Sequence, residues 1–354
     1  METRIHLNQI RELRGISAAA LAKLAGVTRQ TIYAIEAGDY VPNTTVALQL
    51  AKILEVRVEE LFSLEAESTA APKPVPVEFI TPARNGQPVQ LCRVGNRTIG
   101  VSAGQHLMFP PADAVVVDGS KAQMFQEAED EKRLLIAGCD PGLSLLARNL
   151  DIVIAPSTSH QALQWLKQGK VHVAGTHLRD SATGAYNLPI VKHLFPQGMV
   201  KVVTFAIWEQ GLVTRTGSPI RTIEDLGRKD VRIINREKGA GSREVLDQHL
   251  HAAGIRSDRV NGYDSIATGH LPAAEAVSLG QADCCIATRS AARAFGLHFI
   301  PLATERYDLV IRRQYAKLPA VEALFDALNR SAMRRKLELL AGYDTTHTGE
   351  VLVA

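Results

Sequence analysis

The chain of 354 residues is long enough for two or three domains, and its 46% hydrophobic and 22% charged residues are typical of a globular protein, not of a disordered or fibrous one. The net charge of +3 excludes a protein that coats nucleic acid through charge alone. No run of about 18 apolar residues predicts a membrane span, and the polar N-terminus lacks the apolar region of a secretory signal, so we expect a cytoplasmic protein with no membrane partner.

The first 65 residues predict an all-α domain of five helices. Ser17 is placed to cap a second helix over 18–24, and Gly26 allows the positive φ of a sharp turn. Thr28 is placed to cap a third helix over 29–37, which Gly38 ends. Apolar residues at helical spacing supply one core for these and two further helices: Leu7, Ile10, Leu13, Ala22, Val27, Ile32, Ile35, Leu48, Leu50, Ala51, Leu54 and Leu61.

This region carries the turn AGVT at 25–28, the helix ending IEAG at 35–38 and the following Pro42. Over 10–62, which spans all five helices, the sequence resembles the lambda-repressor/Cro-like (XRE-type) helix-turn-helix family. The resemblance implies that the start of the third helix enters the major groove of double-stranded operator DNA. It places these residues at the DNA, the last two at the phosphate backbone: Thr28, Arg29, Gln30, Thr31, Tyr33, Asn43 and Thr44.

Two of these side chains are suited to reading bases. Glutamine can pair with adenine through two hydrogen bonds and arginine with guanine, so Gln30 and Arg29 are the candidates, although Arg29 equally fits a phosphate contact. From the residues alone, the polar run can also be a solvated helix face; the whole motif favours DNA contact. Residues 1–65 contain seven basic and eight acidic side chains. Because such a head binds weakly as a monomer, we expect a homodimer on a palindromic operator.

Two segments follow the DNA-binding region. The stretch EAESTAAPKPVP at 65–76 is small, polar and proline-rich, which predicts a linker over 66–76. Residues 77–131 contain the short β-branched runs VQLCRV, RTIGVS and AVVVDG and turn signals such as Asn85-Gly86, which predict a β-rich connecting segment. The sequence leaves open whether this segment packs on the domain that follows or mediates dimerisation.

From residue 132 to 315, apolar strands such as LLIAG, VHVAG and VRIIN alternate with amphipathic helices. This pattern predicts an α/β domain with a mostly parallel sheet covered on both faces. Ligands of open α/β sheets bind at the carboxyl ends of the strands. The loops at those ends contain the candidate ligand-binding residues: Cys139, Asp140, Ser157, Thr158, Ser159, His177, Arg236, Gly241, Ser242, Arg243 and His270.

The glycine-rich loop at 235–243 is the most specific of these signals. Its glycines let the backbone approach a ligand, and the helix that begins at Ser242 offers free N–H groups and a dipole that favour an anion. Arg236 and Arg243 can add charged donors. On the residues alone, a tight turn with solvated arginines explains the loop equally well.

Other candidates also have a structural alternative. A histidine at a strand end is more often a core residue than a ligand, so both roles stay open for His177 and His270. Asp140 can bind a cationic group or cap a helix over 143–150, and we favour the cap. Cys139 is expected to be a small apolar loop residue and not a nucleophile, since no cationic partner can be assigned to it.

The stretches IAGCDPGLSLLA, VHVAGTHLRDSATGAYNLP and KGAGSREVLDQHL occupy 136–147, 171–189 and 238–250, at the start of and inside the region from about 138 to 312. This region resembles the periplasmic-binding-protein-like domain of bacterial regulators and molybdopterin-biosynthesis modules, a relative of type II solute receptors that include molybdate receptors. The resemblance implies two α/β lobes joined by crossing strands, the first to about residue 205 and the second over 220–303, with C-terminal helices over 316–354 on the first lobe. The implied ligand is a small oxyanion such as molybdate or tungstate.

Two places depart from the family pattern, and both bear on ligand choice. Ser157-Thr158-Ser159 is followed by His160 where glycines are expected, and Thr268-Gly269-His270 replaces a more usual Ser-His pair.

The remaining motifs narrow the function. The four cysteines form no Cys-x-x-Cys pair, so we expect no disulfide framework, no metal site and no cofactor. No GxSxG, HExxH, Walker A or GxGxxG motif is present, so we expect no enzyme and no catalytic residues. The sequence thus predicts a multidomain one-component transcriptional regulator, in which ligand closes the lobes and repositions the DNA-binding regions. The alternatives are a sensor of a small organic metabolite, an α/β enzyme with an autoregulatory DNA-binding region, and a transport receptor, which the attached DNA-binding region disfavours.

Overall fold

The computed structural model describes residues 3–64, 74–102, 111–125, 133–148, 150–180 and 183–352. They belong to two compact units, Met1–Ala71 and Pro72–Ala354, here called the head and the C-terminal unit. Residues 66–73 of the predicted linker lie outside the described residues, while Val75–Pro76 forms a strand of the C-terminal unit. Within the described residues, no helix is both long and apolar enough to cross a membrane.

The described part of the head contains five helices, as predicted: α1 (Leu7–Leu13), α2 (Ala18–Ala25), α3 (Arg29–Ala37), α4 (Thr44–Leu54) and α5 (Val58–Leu61). The structure adds two short strands, β1 (Thr3–Ile5) and β2 (Phe62–Leu64), which pair antiparallel and join the two ends of the head. Strands of three residues carry too few side chains for an alternating pattern to show in the sequence.

Local chemistry fixes the helix ends of the head. Ser17 Oγ accepts a hydrogen bond from Ala20 N at 3.2 Å and caps α2. Gly26 and Gly38 follow α2 and α3 with φ of +66° and +82°, a conformation that a side chain would strain. The third helix has its predicted bounds, and the second begins as predicted at Ala18 but ends one residue later, at Ala25.

The core of the head contains the predicted residues with two exceptions. Leu13 is 86% exposed and Leu48 is 56% exposed. On α4 the buried positions are Ala47, Leu50, Ala51 and Leu54, so Leu48 lies on the opposite side of the helix. The prediction that these two leucines join the core was wrong. It rested on their apolar side chains, whereas their positions around the helix axis decide which side they face.

A partly buried ion pair links α3 to α1. Arg11 Nε lies 2.5 Å from Glu36 Oε1, and the two side chains are only 11% and 9% exposed. Arg11 also donates to the carbonyl oxygen of Ile16 at 3.0 Å and to Asn8 Oδ1 at 2.6 Å, so the guanidinium has three hydrogen-bond partners within the head. A buried pair of this kind contributes orientation more than net stability.

The C-terminal unit begins with a six-stranded sheet, counted over the described residues, which confirms the β-rich character of 77–131. Its strands are β3 (Val75–Pro76), β4 (Glu78–Phe79), β5 (Pro88–Val94), β6 (Arg97–Ser102), β7 (Ala114–Asp118) and β8 (Lys121–Met124), in the order β3-β8-β7-β5-β6-β4. Val94, Ile99 and Val101 share a core with Leu134 and Val153 of the α/β domain. The segment therefore packs on that domain.

The second sheet contains ten described strands. They are β9 (Leu134–Gly138), β10 (Ile152–Pro156), β11 (Val173–Thr176), β12 (Val200–Thr214), β13 (Ile233–Arg236), β14 (Ile266–Ala267), β15 (Cys284–Thr288), β16 (His298–Arg312), β17 (Tyr343–Asp344) and β18 (Val351–Leu352). The order is β10-β9-β11-β16-β12-β15-β13-β14, and β17 and β18 also pair with β12.

The strands β12 and β16 cross between two lobes. Each is 15 residues long, and they pair antiparallel from Val200↔Arg312 to Thr214↔His298. Strands β9, β10 and β11 are parallel on one side of this pair, and β13, β14 and β15 are parallel on the other. The prediction of a mostly parallel sheet therefore holds only inside each lobe, because the crossing strands run antiparallel to their neighbours.

Helices cover the faces of this sheet: α6 (Ser159–Lys167), α7 (Leu188–Leu194), α8 (Gly241–Ala252), α9 (His270–Ser278), α10 (Arg289–Ala294), α11 (Pro319–Asn329) and α12 (Ser331–Leu339). Leu324 and Leu328 of α11 and Leu337 of α12 lie in the core of the first lobe, where the C-terminal helices were expected. The helix predicted over 143–150 is instead a 3-10 helix, Pro141–Arg148.

Candidate functional site

The first turn of α3 presents the predicted DNA-reading residues. Thr28 Oγ1 accepts from Thr31 N at 3.1 Å and lies 2.8 Å from Thr31 Oγ1, so both hydroxyls take part in the cap. Arg29 Nη2 donates to Tyr33 Oη at 2.8 Å, and the guanidinium carbon lies 5.3 Å from the centre of the Tyr33 ring. The Gln30 side chain is exposed. The start of α3 thus presents two groups together, the Gln30 amide and the Arg29 guanidinium, which its contacts with Tyr33 hold in place.

The loop predicted to touch phosphates begins α4. Asn43 Oδ1 accepts from Val46 N at 3.0 Å and caps the helix, and Thr44 is its exposed first residue. Asn43 therefore has a structural role of its own, while its amide nitrogen and the Thr44 hydroxyl stay near a helix N-terminus, where anions are favoured.

A cleft of about 790 Å³ separates the two lobes of the α/β domain. Residues that follow β9 and β10 form one wall, and residues that follow β13 and β14 form the other. Its lining includes five predicted ligand-binding residues, two glutamates and several apolar side chains: Cys139, Asp140, Ser157, Arg236, His270, Glu237, Glu275, Pro141, Ile154, Pro156, Leu271, Pro272 and Phe295. Residues at the carboxyl ends of strands from both lobes thus meet at this cleft, as expected from the sequence.

Several polar atoms of the cleft are buried without a hydrogen-bond partner among the described residues. They are Ser157 Oγ, Arg236 Nη1, Asp140 Oδ2 and both ring nitrogens of His270. Burying an unpartnered donor or acceptor costs on the order of 1–3 kcal/mol. The cleft is therefore a surface whose polar groups require an external partner.

Arg236 is held in one orientation by its neighbour. Its Nε and Nη2 donate to the two carboxylate oxygens of Glu237 at 2.9 and 3.1 Å, while Nη1 has no partner in the described residues. The pair leaves one guanidinium nitrogen for a ligand. Glu237 was not recognised from the sequence as part of the site.

Asp140 carries out the predicted capping role and also lines the cleft. Its Oδ1 accepts from Gly142 N at 2.6 Å and from Tyr343 Oη at 2.5 Å. Burial raises the pKa of Asp140 to about 6, although the hydrogen bonds from Tyr343 and Gly142 lower it.

Six predicted ligand-binding residues are absent from the lining of the described cleft: Thr158, Ser159, His177, Gly241, Ser242 and Arg243. Thr158 Oγ1 caps α6 through Gln161 N, and Ser159 Oγ accepts from His177 N at 3.2 Å. Arg243 donates to the carbonyl oxygen of Arg236 at 3.1 Å and stacks on Tyr263 with 4.5 Å to the ring centre. Arg243 thus does not line the cleft but holds the backbone of Arg236 in place.

At the base of the cleft, His177 joins the two lobes. Its Nε2 lies 3.3 Å from Cys139 Sγ, and its Nδ1 lies 2.8 Å from Glu305 Oε2, which also accepts a hydrogen bond from Gln210. Gly241 at the start of α8 lies so close that a Cβ there would overlap the His177 ring. The expectation that Cys139 has no cationic partner was therefore wrong, because the partner comes from a strand 38 residues away.

The charge at this point is set by burial and by two neighbours. Burial opposes protonation of His177, but the Cys139 sulfur and the Glu305 carboxylate outweigh it and raise the pKa of His177 to about 10. Burial, with Arg236 and His177 nearby, lowers the pKa of His270 well below its ordinary value. The structure therefore favours a positive charge beside Cys139 and Glu305.

Sequence reasoning missed the contribution of the crossing strands. Trp208 on β12 and Tyr307 on β16 pack their rings against His177, with ring centres 5.0 and 5.8 Å away. Tyr307 Oη also accepts from Cys139 N at 3.2 Å. The signal that could have revealed this contribution is an acidic residue, Glu305, near the middle of a 15-residue strand.

Fold and site together define a helix-turn-helix regulator fused to a two-lobed ligand-binding domain. A family model described as PBP superfamily domain matches residues 143–329, more than half of the chain, and a helix-turn-helix model matches residues 7–61. The chain belongs to the PBP superfamily domain family and carries an XRE-type helix-turn-helix at its N-terminus.

Two relatives cover different parts of the chain. The uncharacterized protein YvgK of Bacillus subtilis is 36% identical over 238 residues, which are 64% of this chain and 77% of the relative. The uncharacterized HTH-type transcriptional regulator YgzD of Bacillus subtilis is 45% identical over 64 residues, 17% of this chain and 97% of the relative. These matches point to a regulator and a binding-protein fold, not to an enzyme family.

Among solved structures, the sulfate-binding protein SubI from Mycobacterium tuberculosis H37Rv is 16% identical. The match covers 60% of this chain and 86% of that chain with a TM-score of 0.45. This likeness is too low to support a conclusion about the ligand.

Proposed function

We propose that this protein is a one-component transcriptional regulator that binds operator DNA through α3 and senses a small anionic ligand in the cleft between its lobes. The observation that carries the proposal is the set of buried, unpartnered donors in the cleft, above all Arg236 Nη1 and Ser157 Oγ. A DNA-binding protein of this kind acts where DNA is, in agreement with the cytoplasmic location expected from the sequence.

The first candidate ligand is an oxyanion such as molybdate or tungstate. Arg236 offers one guanidinium nitrogen, and Ser157 adds a hydroxyl on the opposite wall. Glu237 neutralises the charge of Arg236. Hydrogen bonds to the oxygens of the anion therefore contribute more to its binding than net charge does.

The second candidate is a small organic metabolite with one anionic group. The cleft of about 790 Å³ lies within the range of ordinary small-molecule pockets, which is roughly 300–1,000 Å³. Ile154, Leu271 and Phe295 give it an apolar side that a bare oxyanion does not need.

Ligand binding can reach the DNA only through a change that both sites share. The lobes are joined by β12 and β16, so a ligand that touches both walls binds the closed arrangement better and shifts the population towards it. We propose that a homodimer converts this closure into a change in the spacing of two heads on a palindromic operator. The near-neutral head makes the second head necessary for affinity.

The test is calorimetry on the full chain with molybdate, tungstate, sulfate and a panel of small carboxylates. Replacing Arg236 by Ala removes a charge-assisted hydrogen bond of about 1.5–3 kcal/mol, so anion affinity should fall about 10- to 100-fold. Arg256→Ala is the matched control, since Arg256 is exposed and pairs with Asp258 outside the cleft. Equal affinity of the Arg236 and Arg256 variants would overturn the anion site.

A control variant distinguishes charge from packing. Glu237→Ala should leave the guanidinium unbalanced and strengthen anion binding, whereas loss of affinity in both variants would indicate a collapsed wall. Any turnover of a bound metabolite by the purified protein would favour the alternative of an enzyme with an autoregulatory DNA-binding head.

A further inference from the structure

Three potential metal ligands converge at the base of the cleft. Cys139 follows β9, His177 follows β11 and His270 begins α9. The nearest ligand atoms of the three side chains, one sulfur and two ring nitrogens, lie within 4.8 Å of one another. In a tetrahedral zinc site with Zn–S of about 2.3 Å and Zn–N of about 2.0 Å, neighbouring ligand atoms lie about 3.5 Å apart. Only a small inward movement separates this cluster from that geometry.

His177 already has the orientation that a metal ligand needs. Nδ1 lies 2.8 Å from Glu305 Oε2 and can donate to it, while Nε2 lies 3.3 Å from Cys139 Sγ. A binding metal ion displaces the proton of Nε2, and the lone pair that this frees points towards Cys139 Sγ. A carboxylate on the far nitrogen of a ligating histidine is a common feature of metal sites, where it fixes the ring and increases its basicity. Gln210 in turn holds Glu305.

His270 supplies an independent observation. Its side chain is 1% exposed, yet neither ring nitrogen has a hydrogen-bond partner among the described residues. Its ring packs edge-on against Trp208 with 5.2 Å between ring centres, which holds its orientation. A buried imidazole without partners costs free energy unless something outside the chain binds it.

We propose that Cys139, His177 and His270 bind one zinc-like divalent transition metal ion at the base of the cleft. One thiolate and two imidazoles form a donor set of intermediate softness, which suits zinc and excludes magnesium or calcium. The expectation of no metal site came from the absence of close ligand spacing in the sequence; here the ligands come from positions up to 131 residues apart, counted from 139 to 270.

The proposed ion has two consequences for the domain. Three protein ligands leave a fourth position open, and since Cys139 and His270 both line the cleft, this position faces the space where a small ligand would bind. Cys139 and His177 belong to the first lobe and His270 to the second, so the ion links the lobes. Metal occupancy therefore stabilises the closed arrangement.

The same geometry contains a second possibility that the experiment must separate. Cys139, His177 and Glu305 are arranged like a nucleophile, a base and an orienting carboxylate. That arrangement does not account for His270, whose unpartnered nitrogens lie beside it. A metal ion uses all three residues.

The test is a titration of the reduced, chelator-treated full chain with Co²⁺, whose thiolate charge-transfer and tetrahedral visible bands report the ligand set. We expect one ion per chain and competition by Zn²⁺. Cys139→Ser should remove the charge-transfer band and weaken binding at least about 100-fold, and His270→Phe should weaken it at least about tenfold. Glu305→Gln, which keeps the shape but not the charge, should weaken it about 10- to 100-fold.

Matched controls lie away from the site. Cys92→Ala removes another buried thiol, and His251→Gln removes an exposed histidine of α8; both should bind Co²⁺ like the unchanged chain. Circular dichroism identifies a variant that fails to fold, in which case His270→Phe and Glu305→Gln carry the test. Absence of a thiolate band in the folded, reduced protein, or equal affinity in Cys139→Ser, overturns the metal site.

The outcome is independent of the proposed anion ligand. Cobalt binding is measured without added anion, and anion calorimetry is performed on chelator-treated protein, so either result can fail alone. Rapid alkylation of Cys139 by iodoacetamide that Zn²⁺ does not slow would favour the nucleophile over the metal ligand and would also overturn the proposal.

Discussion

The head and the cleft use their polar side chains in opposite ways. In the head, Thr28 and Asn43 cap helices and Arg29 is braced on Tyr33, so the polar groups have partners inside the same unit. In the cleft, Ser157 and His270 are buried with polar atoms that have none among the described residues. These polar groups of the head are satisfied within the head itself, whereas those of the cleft need a ligand to satisfy them.

The largest expected effect tests the completeness of the head. Glu36→Ala leaves the partly buried Arg11 without its strongest ion-pair partner and should lower the free energy of unfolding of the head by about 2–3 kcal/mol. Hydrogen exchange of the α2 and α3 amides in the full chain measures it. Glu59→Ala, which breaks an exposed pair with Arg57, should change the value by less than about 1 kcal/mol. Similar losses in both variants would show that the Arg11–Glu36 pair stabilises the head no more than an exposed ion pair does.

A second change acts where the two lobes touch. Gly241→Ala places a methyl group against the His177 ring, so the lobes should be forced apart at a cost of about 1–3 kcal/mol. Affinity for a cleft ligand should fall about 10- to 100-fold, as calorimetry would measure. Gly227→Ala is the control because its Cβ would meet only Ile255 at 3.7 Å. Unchanged affinity in Gly241→Ala would mean that binding does not require this contact.

A third prediction concerns pH and a histidine whose partners are all internal. Burial lowers the pKa of His172 to about 4, and its Nδ1 accepts from Leu135 N at 3.1 Å. Between about pH 6.5 and 4 the unfolded chain binds a proton that the folded chain does not. Stability should therefore fall by about 1.4 kcal/mol per pH unit as pH decreases through that window. The free energy of unfolding, measured by urea denaturation at a series of pH values, should fall less steeply with decreasing pH in His172→Asn than in His347→Asn, an exposed control.

The smallest expected effect concerns DNA reading. Gln30→Ala removes an exposed amide of α3, so overall affinity for DNA should change little while the preference at one base pair relaxes by about 1 kcal/mol. Selection from a randomised duplex pool measures the preference. The matched change Gln49→Ala on α4 should leave it unaltered, and an unaltered preference in Gln30→Ala would remove this residue from base reading.

The same contrast explains what the sequence could predict. Caps and turn glycines such as Ser17, Thr28 and Gly38 act on neighbours three or four residues away, so the second and third helices of the head were predicted to within one residue at each end. The alternation of strands and helices predicted an α/β domain, and the family resemblance implied its two lobes and crossing strands. Leu13 and Leu48 were misassigned because exposure depends on helix phase against partners that the sequence does not show.

The floor of the cleft was not predictable in the same way. His177 meets Glu305 across 128 positions, and Asp140 meets Tyr343 across 203. No local pattern links residues so far apart, and an acidic residue inside a long strand of mixed composition, as Glu305 is, has many ordinary explanations. Candidate residues on the loops were identified one by one, but their pairing depends on how β12 and β16 bring the lobes together.

The central claim is that the cleft controls DNA binding. Its most direct test is the affinity of the full chain for a duplex selected from a randomised pool, measured with and without a ligand that calorimetry has shown to bind. The account predicts a change of at least about fivefold that disappears in Arg236→Ala. A ligand that binds the cleft and leaves the DNA affinity of the unchanged chain the same would contradict it.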